Sequence, residues 1–376
     1  MKGREQMNKI FKKIISTALL GSMIFAFAGC GTQENDNENT QSKIIVDHTG
    51  TEVEIPEKIE RVVITSIAPL PSVYCLFRGS TEGLVGLSPT SMAAAENSYL
   101  AEVYPEITEI DTSFYQGDTV NLEQLAALEP DVVFYSATNT AEQEMYANAG
   151  IPAIGFSTTM AEFNAIETYA NWIDLLGQIF GDDEKTDEII EYGRSVEQEV
   201  LAKTADLTDE DRPKALVLFK YDNGTITVSG KGHFGQYWLD TAGAVNVAEG
   251  LDGQPTVNME QIYAWNPDMI FITNFSPYLP EDLINNTIEG HDWSSVKAVQ
   301  EGKVYKFPLG MYRWYPPSSD TPLSLMWLAK TIQPELFSDI DFDQEVKAYF
   351  AKYYNVELTD EDLEAIYNPL REASGK

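Results

Sequence analysis

Apolar residues along this chain fall into two arrangements, short unbroken runs and stripes at helical spacing. Val62-Val63-Ile64, Leu84-Val85-Gly86-Leu87, Val132-Val133-Phe134-Tyr135 and residues 151–156 have the length of buried strands. Between them, a pattern from Val73, residues 121–128 and a segment closing at 146–150 repeat at helical intervals. Strands alternating with helices of this kind predict parallel βαβ units. From 162 to about 207 there is no strand signal. Phe163, Ile166, Tyr169, Ala170, Ile173 and Leu176 keep a helical period, and Gly181-Asp182-Asp183 reads as a break and an N-cap. The charged stretch 184–203 carries only a narrow stripe, Ile189, Ile190, Gly193, Val196 and Val200, which suits a helix lying across a surface. The alternation returns after Pro213, with strands expected at 215–219, 225–228, 269–272 and 303–307, and helices at 235–242, 259–265 and 321–332.

The predicted fold class is therefore α/β: two βαβ-type lobes joined by one long helix. The N-terminal lobe spans 43–160, a helical linker 161–212 and the C-terminal lobe 213–338. An acidic helical tail, 339–376, is expected to pack on the C-terminal lobe. An internal echo supports two related lobes. Val120-Asn121-Leu122-Glu123-Gln124 and Glu129-Pro130-Asp131 are matched, 137 residues on, by Val257-Asn258-Met259-Glu260-Gln261 and Asn266-Pro267-Asp268. A shared αβ grammar accounts for the apolar positions, but not for Val-Asn-x-Glu-Gln in both copies.

The N-terminus is of a different kind. Lys2, Arg4, Lys9, Lys12 and Lys13 precede an apolar run, 14–28, that ends at Ala28-Gly29-Cys30. This is the layout of a secretory signal, and the run is short for a spanning helix, which needs about 20 residues. Cys30 after Ala-Gly resembles the lipobox of bacterial lipoproteins, which implies a signal peptide over 1–29 and lipidation of Cys30. Residues 30–42 contain nothing able to pack a core and read as a flexible tether. Cys75, in an apolar run, is expected to be a buried core residue.

Composition narrows the functions. With 43% hydrophobic residues the 376-residue chain can build real cores. Its 25 basic and 59 acidic residues give −34, a field that repels phosphate backbones and excludes nucleic-acid partners. Without residues 1–29 the charge is −38. Two cysteines and three histidines exclude a disulfide framework, a cysteine-rich zinc fold and most multi-histidine metal sites, and no metal or cofactor is called for. No phosphate loop, zinc-protease or nucleophile-elbow motif is present, so the chain is not expected to be an enzyme.

The order and spacing of these blocks resemble the solute-binding lipoproteins of ABC importers for ferric siderophores, haem and vitamin B12. The resemblance rests on the Glu123 block, the strand near Arg61-Val62-Val63, Ser229-Gly230-Lys231, Gly243-Ala244-Val245-Asn246, the Glu260 block and Gly302-Lys303-Val304-Tyr305. It implies a ligand cleft between the lobes and an extracytoplasmic, lipid-anchored monomer. It also implies an ABC permease and its ATPase as partners, with Glu123 and Glu260 pairing with permease arginines. From the residues alone, each is equally a solvated glutamate favoured by a helix dipole. An adhesin or sensor lipoprotein, or a secreted hydrolase, would need neither.

Candidate ligand contacts come from loops that follow strands. Tyr312, Arg313 and Trp314 lie in a loop whose aromatics suit a planar ligand and whose guanidinium suits anionic oxygens, although a packed structural loop has the same composition. Tyr221, His233, Phe275 and Tyr278 follow C-terminal-lobe strands; Ser66, Tyr115 and Thr138 sit in N-terminal-lobe loops. His48 and His291 read as structural. One well-placed histidine argues for a metal already held in a chelator, a metal-chelate ligand such as a ferric siderophore. Haem, a corrinoid and a free metal ion remain the alternatives.

Overall fold

A computed structural model describes residues 41–373. The signal peptide, Cys30 and nearly all of the tether fall outside the described residues. Ser42, the last residue assigned to the tether, opens a strand, Ser42–Val46, which pairs antiparallel with Glu52–Pro56. The hairpin is tied to the N-terminal lobe where the Asp47 carboxylate accepts the Gly155 N–H at 2.8 Å.

The N-terminal sheet is parallel throughout, in the order Leu84–Leu87, Val62–Ile64, Val132–Ser136, Ala153–Phe156. The C-terminal sheet runs Thr256–Val257, Thr225–Val228, Lys214–Asp222, Met269–Ile272, Val304–Lys306, and Val245–Asn246 also pairs with Lys214–Asp222. Its central strands are parallel. The central parallel strands of both sheets are buried on both faces, which is why they read as unbroken apolar runs. Alternation sorts the two faces. Val62, Phe134, Val217 and Phe271 join one core that runs through both lobes. Val63 and Val133 point into an outer cluster of the first lobe, and Leu216 and Ile270 into one of the second.

Two helices form the linker, Ala165–Phe180 and Asp183–Thr204. Gly181 closes the first in the left-handed conformation, and the Asp182 side chain caps the second. The second, 22 residues long, spans about 33 Å. It buries Thr186, Ile189, Gly193, Val196, Val200 and Thr204, a stripe close to the expected one. A Cβ on Gly177 would lie 2.1 Å from Thr186 Oγ1, so this glycine sets how closely the two helices approach.

The internal echo has a structural basis. Asn121 and Asn258 cap the helices Leu122–Ala127 and Met259–Trp265. Glu129 and Asn266, just before each proline, both take left-handed backbone, with φ of 45° and 43°. Asp131 then accepts the N–H groups of Glu60 and Arg61, and Asp268 that of Lys214, so each aspartate clamps the strand entering next to its own.

The tail does not pack on the C-terminal lobe alone. Its helix Phe342–Tyr354 sets Phe350 against Tyr99 and Tyr354 against Tyr104 of the N-terminal lobe, and Tyr349 against Tyr192 of the linker. Its aromatic positions face the seam between the lobes. The 309–320 loop crosses the same seam. The Tyr99 N–H donates to Gly310 O at 2.8 Å, the Ser98 hydroxyl to Met311 O, and the Tyr349 hydroxyl to Ser319 O.

Candidate functional site

In parallel sheets the loops after the strands are the natural place for a ligand. Here those loops of the two lobes meet. Phe163, which follows the last N-terminal strand, packs on His233 and Phe234, with ring centroids 5.5 and 5.3 Å apart.

His233 is at the centre of a group of half-buried rings. Phe219 lies 5.5 Å from it and 5.1 Å from Phe275, and Tyr315 stacks beneath at 5.9 Å. The imidazole is pinned from both sides. Nδ1 lies 2.7 Å from the Tyr315 hydroxyl, and Nε2 lies 2.6 Å from the Gln254 amide nitrogen. With that amide donating, Nε2 is the acceptor and Nδ1 bears the proton. The Tyr315 hydroxyl in turn donates to Ser229 Oγ at 2.8 Å. A Cβ on Gly235 would fall 2.3 Å from that oxygen, so only glycine lets the helix start pack this tightly. Burial lowers the His233 pKa to about 4, leaving a neutral ring at ordinary pH.

Arg313 lies behind this group, with its guanidinium carbon 4.7 Å from the Phe275 ring centre and 5.7 Å from that of Tyr312. It is almost fully buried, as is Tyr312. The loop that carries it wraps Asp320, a buried carboxylate accepting from the Tyr312 N–H and the Trp314 indole. Burial raises the Asp320 pKa to about 7 despite these donors.

Two residues expected at the ligand are fully buried apart from this group. Trp314 has no exposed surface and packs against Trp327, Phe342 and Tyr367, because the tail covers that side of the loop. Tyr221 is likewise fully buried, with its hydroxyl shared by His291 and Trp293. The cause is a one-residue bulge. Thr227 faces Lys220 but Val228 faces Leu218, so Phe219 is the extra residue and Tyr221 turns to the outer core. Tyr278 packs on Tyr221 at 4.6 Å and is half-exposed.

On the N-terminal side, Ser66 and Tyr115 are half-exposed and Thr138 is exposed. Ser66 is fully engaged: its hydroxyl donates to Glu142 at 2.8 Å and accepts from the Ser136 N–H. Thr65 also donates to Glu142, at 2.7 Å. Burial, and then Glu142, push the Tyr115 phenol up. Sequence reasoning missed Glu142, Gln254, Phe163 and Phe219 as site residues. Phe163 and Phe219 were visible only as parts of a helix and a strand; nothing local marked the other two.

A concavity of about 920 Å³ is lined by the edge strand Val304–Lys306, the helix Pro280–Ile284 and the tail. None of His233, Phe219, Phe275 or Arg313 lines it, and neither does any N-terminal-lobe residue, so it is not a place where two lobes grip a ligand. Among the described residues no three His, Cys, Asp or Glu side chains are grouped to hold a metal, and no helix is long and apolar enough to cross a membrane.

The crystal structure of a periplasmic solute binding protein from Veillonella parvula superposes with a TM-score of 0.78 at 31% identity, covering 87% of this chain and 97% of that one. The molybdate-binding protein MolA of Haemophilus influenzae is 26% identical over 334 residues, 83% of this chain and 91% of that protein. The Fe(3+)-citrate-binding protein YfmC of Bacillus subtilis is 22% identical over 308 residues, 80% of this chain and 90% of that protein. Residues 71–309, well over half of the chain, match the family described as periplasmic binding protein. The chain belongs to that family, the two-lobed solute-binding proteins of ABC importers.

Proposed function

We propose that this protein is a lipid-anchored extracytoplasmic receptor, tethered through Cys30, that captures an iron chelate between its lobes and delivers it to an ABC permease. It performs no chemistry on its cargo. The observation that carries the reading is the group of half-exposed rings, Phe163, Phe219 and Phe275, around a neutral His233, with a buried arginine behind them. The rings suit the flat organic part of a chelate, and Arg313 suits its anionic oxygens. Nε2 of His233 suits a metal with an open coordination position once Gln254 swings aside.

Docking rests on Glu123 and Glu260. The asparagines and aspartates of the repeated block have tasks inside their lobes, as caps and clamps. The glutamate side chains are exposed, with no hydrogen bond or ion pair among the described residues, and as carboxylates they are the charged groups that the repeat offers to a partner on each lobe. One acidic point on each lobe orients the receptor on a basic partner and speeds encounter. The test is delivery. The double variant Glu123→Arg, Glu260→Arg should bind cargo like the wild type while uptake in cells collapses; undiminished uptake would refute the role.

A bare oxyanion such as molybdate is the second reading. It is favoured by the molybdate-binding relative and by the hydroxyls of Ser66, Ser136 and Thr138 in loops that follow N-terminal-lobe strands.

A further inference from the structure

We propose that Lys306 is the positioning residue that sets the shape of the 273–278 loop, and with it the reach of Phe275 and Tyr278, by acting as a resident cation in a cage of backbone carbonyls. The effect on cargo rests on the cleft reading above; the effect on the loop does not.

Lys306 ends the edge strand Val304–Lys306 and is 6% exposed. Val304, on the same face, joins the outer apolar core, so an ammonium occupies a position where the pattern calls for a hydrocarbon. It has no ion pair among the described residues. All three of its donors are instead used on one loop, reaching Thr273 O at 3.0 Å, Ser276 O at 2.6 Å and Tyr278 O at 3.0 Å. A buried ammonium without a counter-ion is costly, and complete use of its donors is what makes it tolerable. The three carbonyls belong to the turn that carries Phe275 and Tyr278. Side chains of that turn bond to neighbouring segments, Thr273 Oγ1 donating to Phe219 O, Ser276 Oγ to Tyr221 O and Asn274 to Phe307 O, and the Arg371 guanidinium of the tail donates to Pro277 O. Without the ammonium, three inward carbonyls would face each other and the apolar core, and the turn would open to hydrate them.

The charged groups acting on Lys306 are Arg371 of the tail, Arg313 of the crossing loop and Asp282 of the helix Pro280–Ile284. Burial, then the two arginines, bring its pKa down to about 7, against the pull of Asp282. One of the three donors is therefore lost as pH rises through neutrality, and the turn should loosen.

Hydrogen–deuterium exchange of the purified protein tests this without any ligand. In Lys306→Met, the 273–278 amides should exchange about tenfold faster at pH near 6, the factor expected from losing roughly one hydrogen bond's net stabilisation, and Lys306→Arg should restore much of the protection. In the wild type, protection corrected for base catalysis should fall between about pH 6 and 8.5 in this turn and not in the strand Met269–Ile272. Unchanged protection in a folded Lys306→Met overturns the proposal. If that variant does not fold, a wild-type turn whose protection ignores pH overturns it. Failure of the wild type to bind any ferric chelate would sink the cleft reading and leave the loop result standing.

Discussion

The side-chain amide of Gln254 lies 2.6 Å from Nε2 of His233, occupying the one ring nitrogen that a metal centre could use. The two residues should therefore respond to mutation with opposite signs. His233→Ala should weaken binding of a ferric chelate by about tenfold or more, the loss of a good charged or metal-linked contact. Gln254→Ala removes the competitor and should tighten binding a few-fold, the net value of one hydrogen bond. Isothermal titration of both variants checks this; equal weakening in both would mean that Nε2 never meets the cargo.

The same ring gives a pH signature. Its pKa is about 4 in the folded protein against 6.5 when unperturbed. Between those values the unfolded chain binds the proton and the folded one does not, so stability rises with pH across this window. It is lost as pH falls from about 6.5 and levels off below about 4. The contribution is at most about 3 kcal/mol. Thermal melts from pH 7 to 4 should show a smaller drop for His233→Gln than for the wild type.

Much of the fold could be read from the sequence because its parallel strands are buried on both faces. Val62-Val63-Ile64 and Met269-Ile270-Phe271-Ile272 have no polar side to blur them. The repeat was legible for the same reason its residues exist, since Asn121 and Asn258 cap and Asp131 and Asp268 clamp. The site was legible only in outline. His233, Phe275 and Arg313 come together as loop position and chemistry suggested. Tyr221 was misplaced because a bulge at Phe219 reverses the side it faces, and no residue type announces that bulge. Trp314 was misplaced because its neighbours Phe342 and Tyr367 come from a tail whose docking depends on contacts far away in the sequence.

The linker helices touch so closely that one methyl group should register. Gly177→Ala would push a Cβ into Thr186 Oγ1 and should cost about 1–3 kcal/mol. Adding Thr186→Ala should recover a good part of the loss, although the Thr186 hydroxyl then no longer donates to Asp182 O. Urea unfolding of the two single variants and the double measures the coupling.

The tail should behave as part of the body. Phe350→Ala empties a fully buried site against Tyr99 and Tyr354 and should destabilise by about 3–5 kcal/mol. Since the tail and the 309–320 loop span the seam between lobes, the variant should still melt in one transition at a lower temperature. Calorimetry that resolved two transitions would show the lobes to be independent of the tail.

The central claim is that the cleft takes a metal chelate, and calorimetric titration of the purified protein tests it most directly. The titrants would be ferric citrate, a ferric catecholate, a ferric hydroxamate, haem, cobalamin and molybdate. The account predicts one-site, sub-micromolar binding of a ferric chelate, weakened by His233→Ala and by Arg313→Ala. Binding of molybdate with no response to any ferric chelate would contradict it and make this protein an oxyanion receptor.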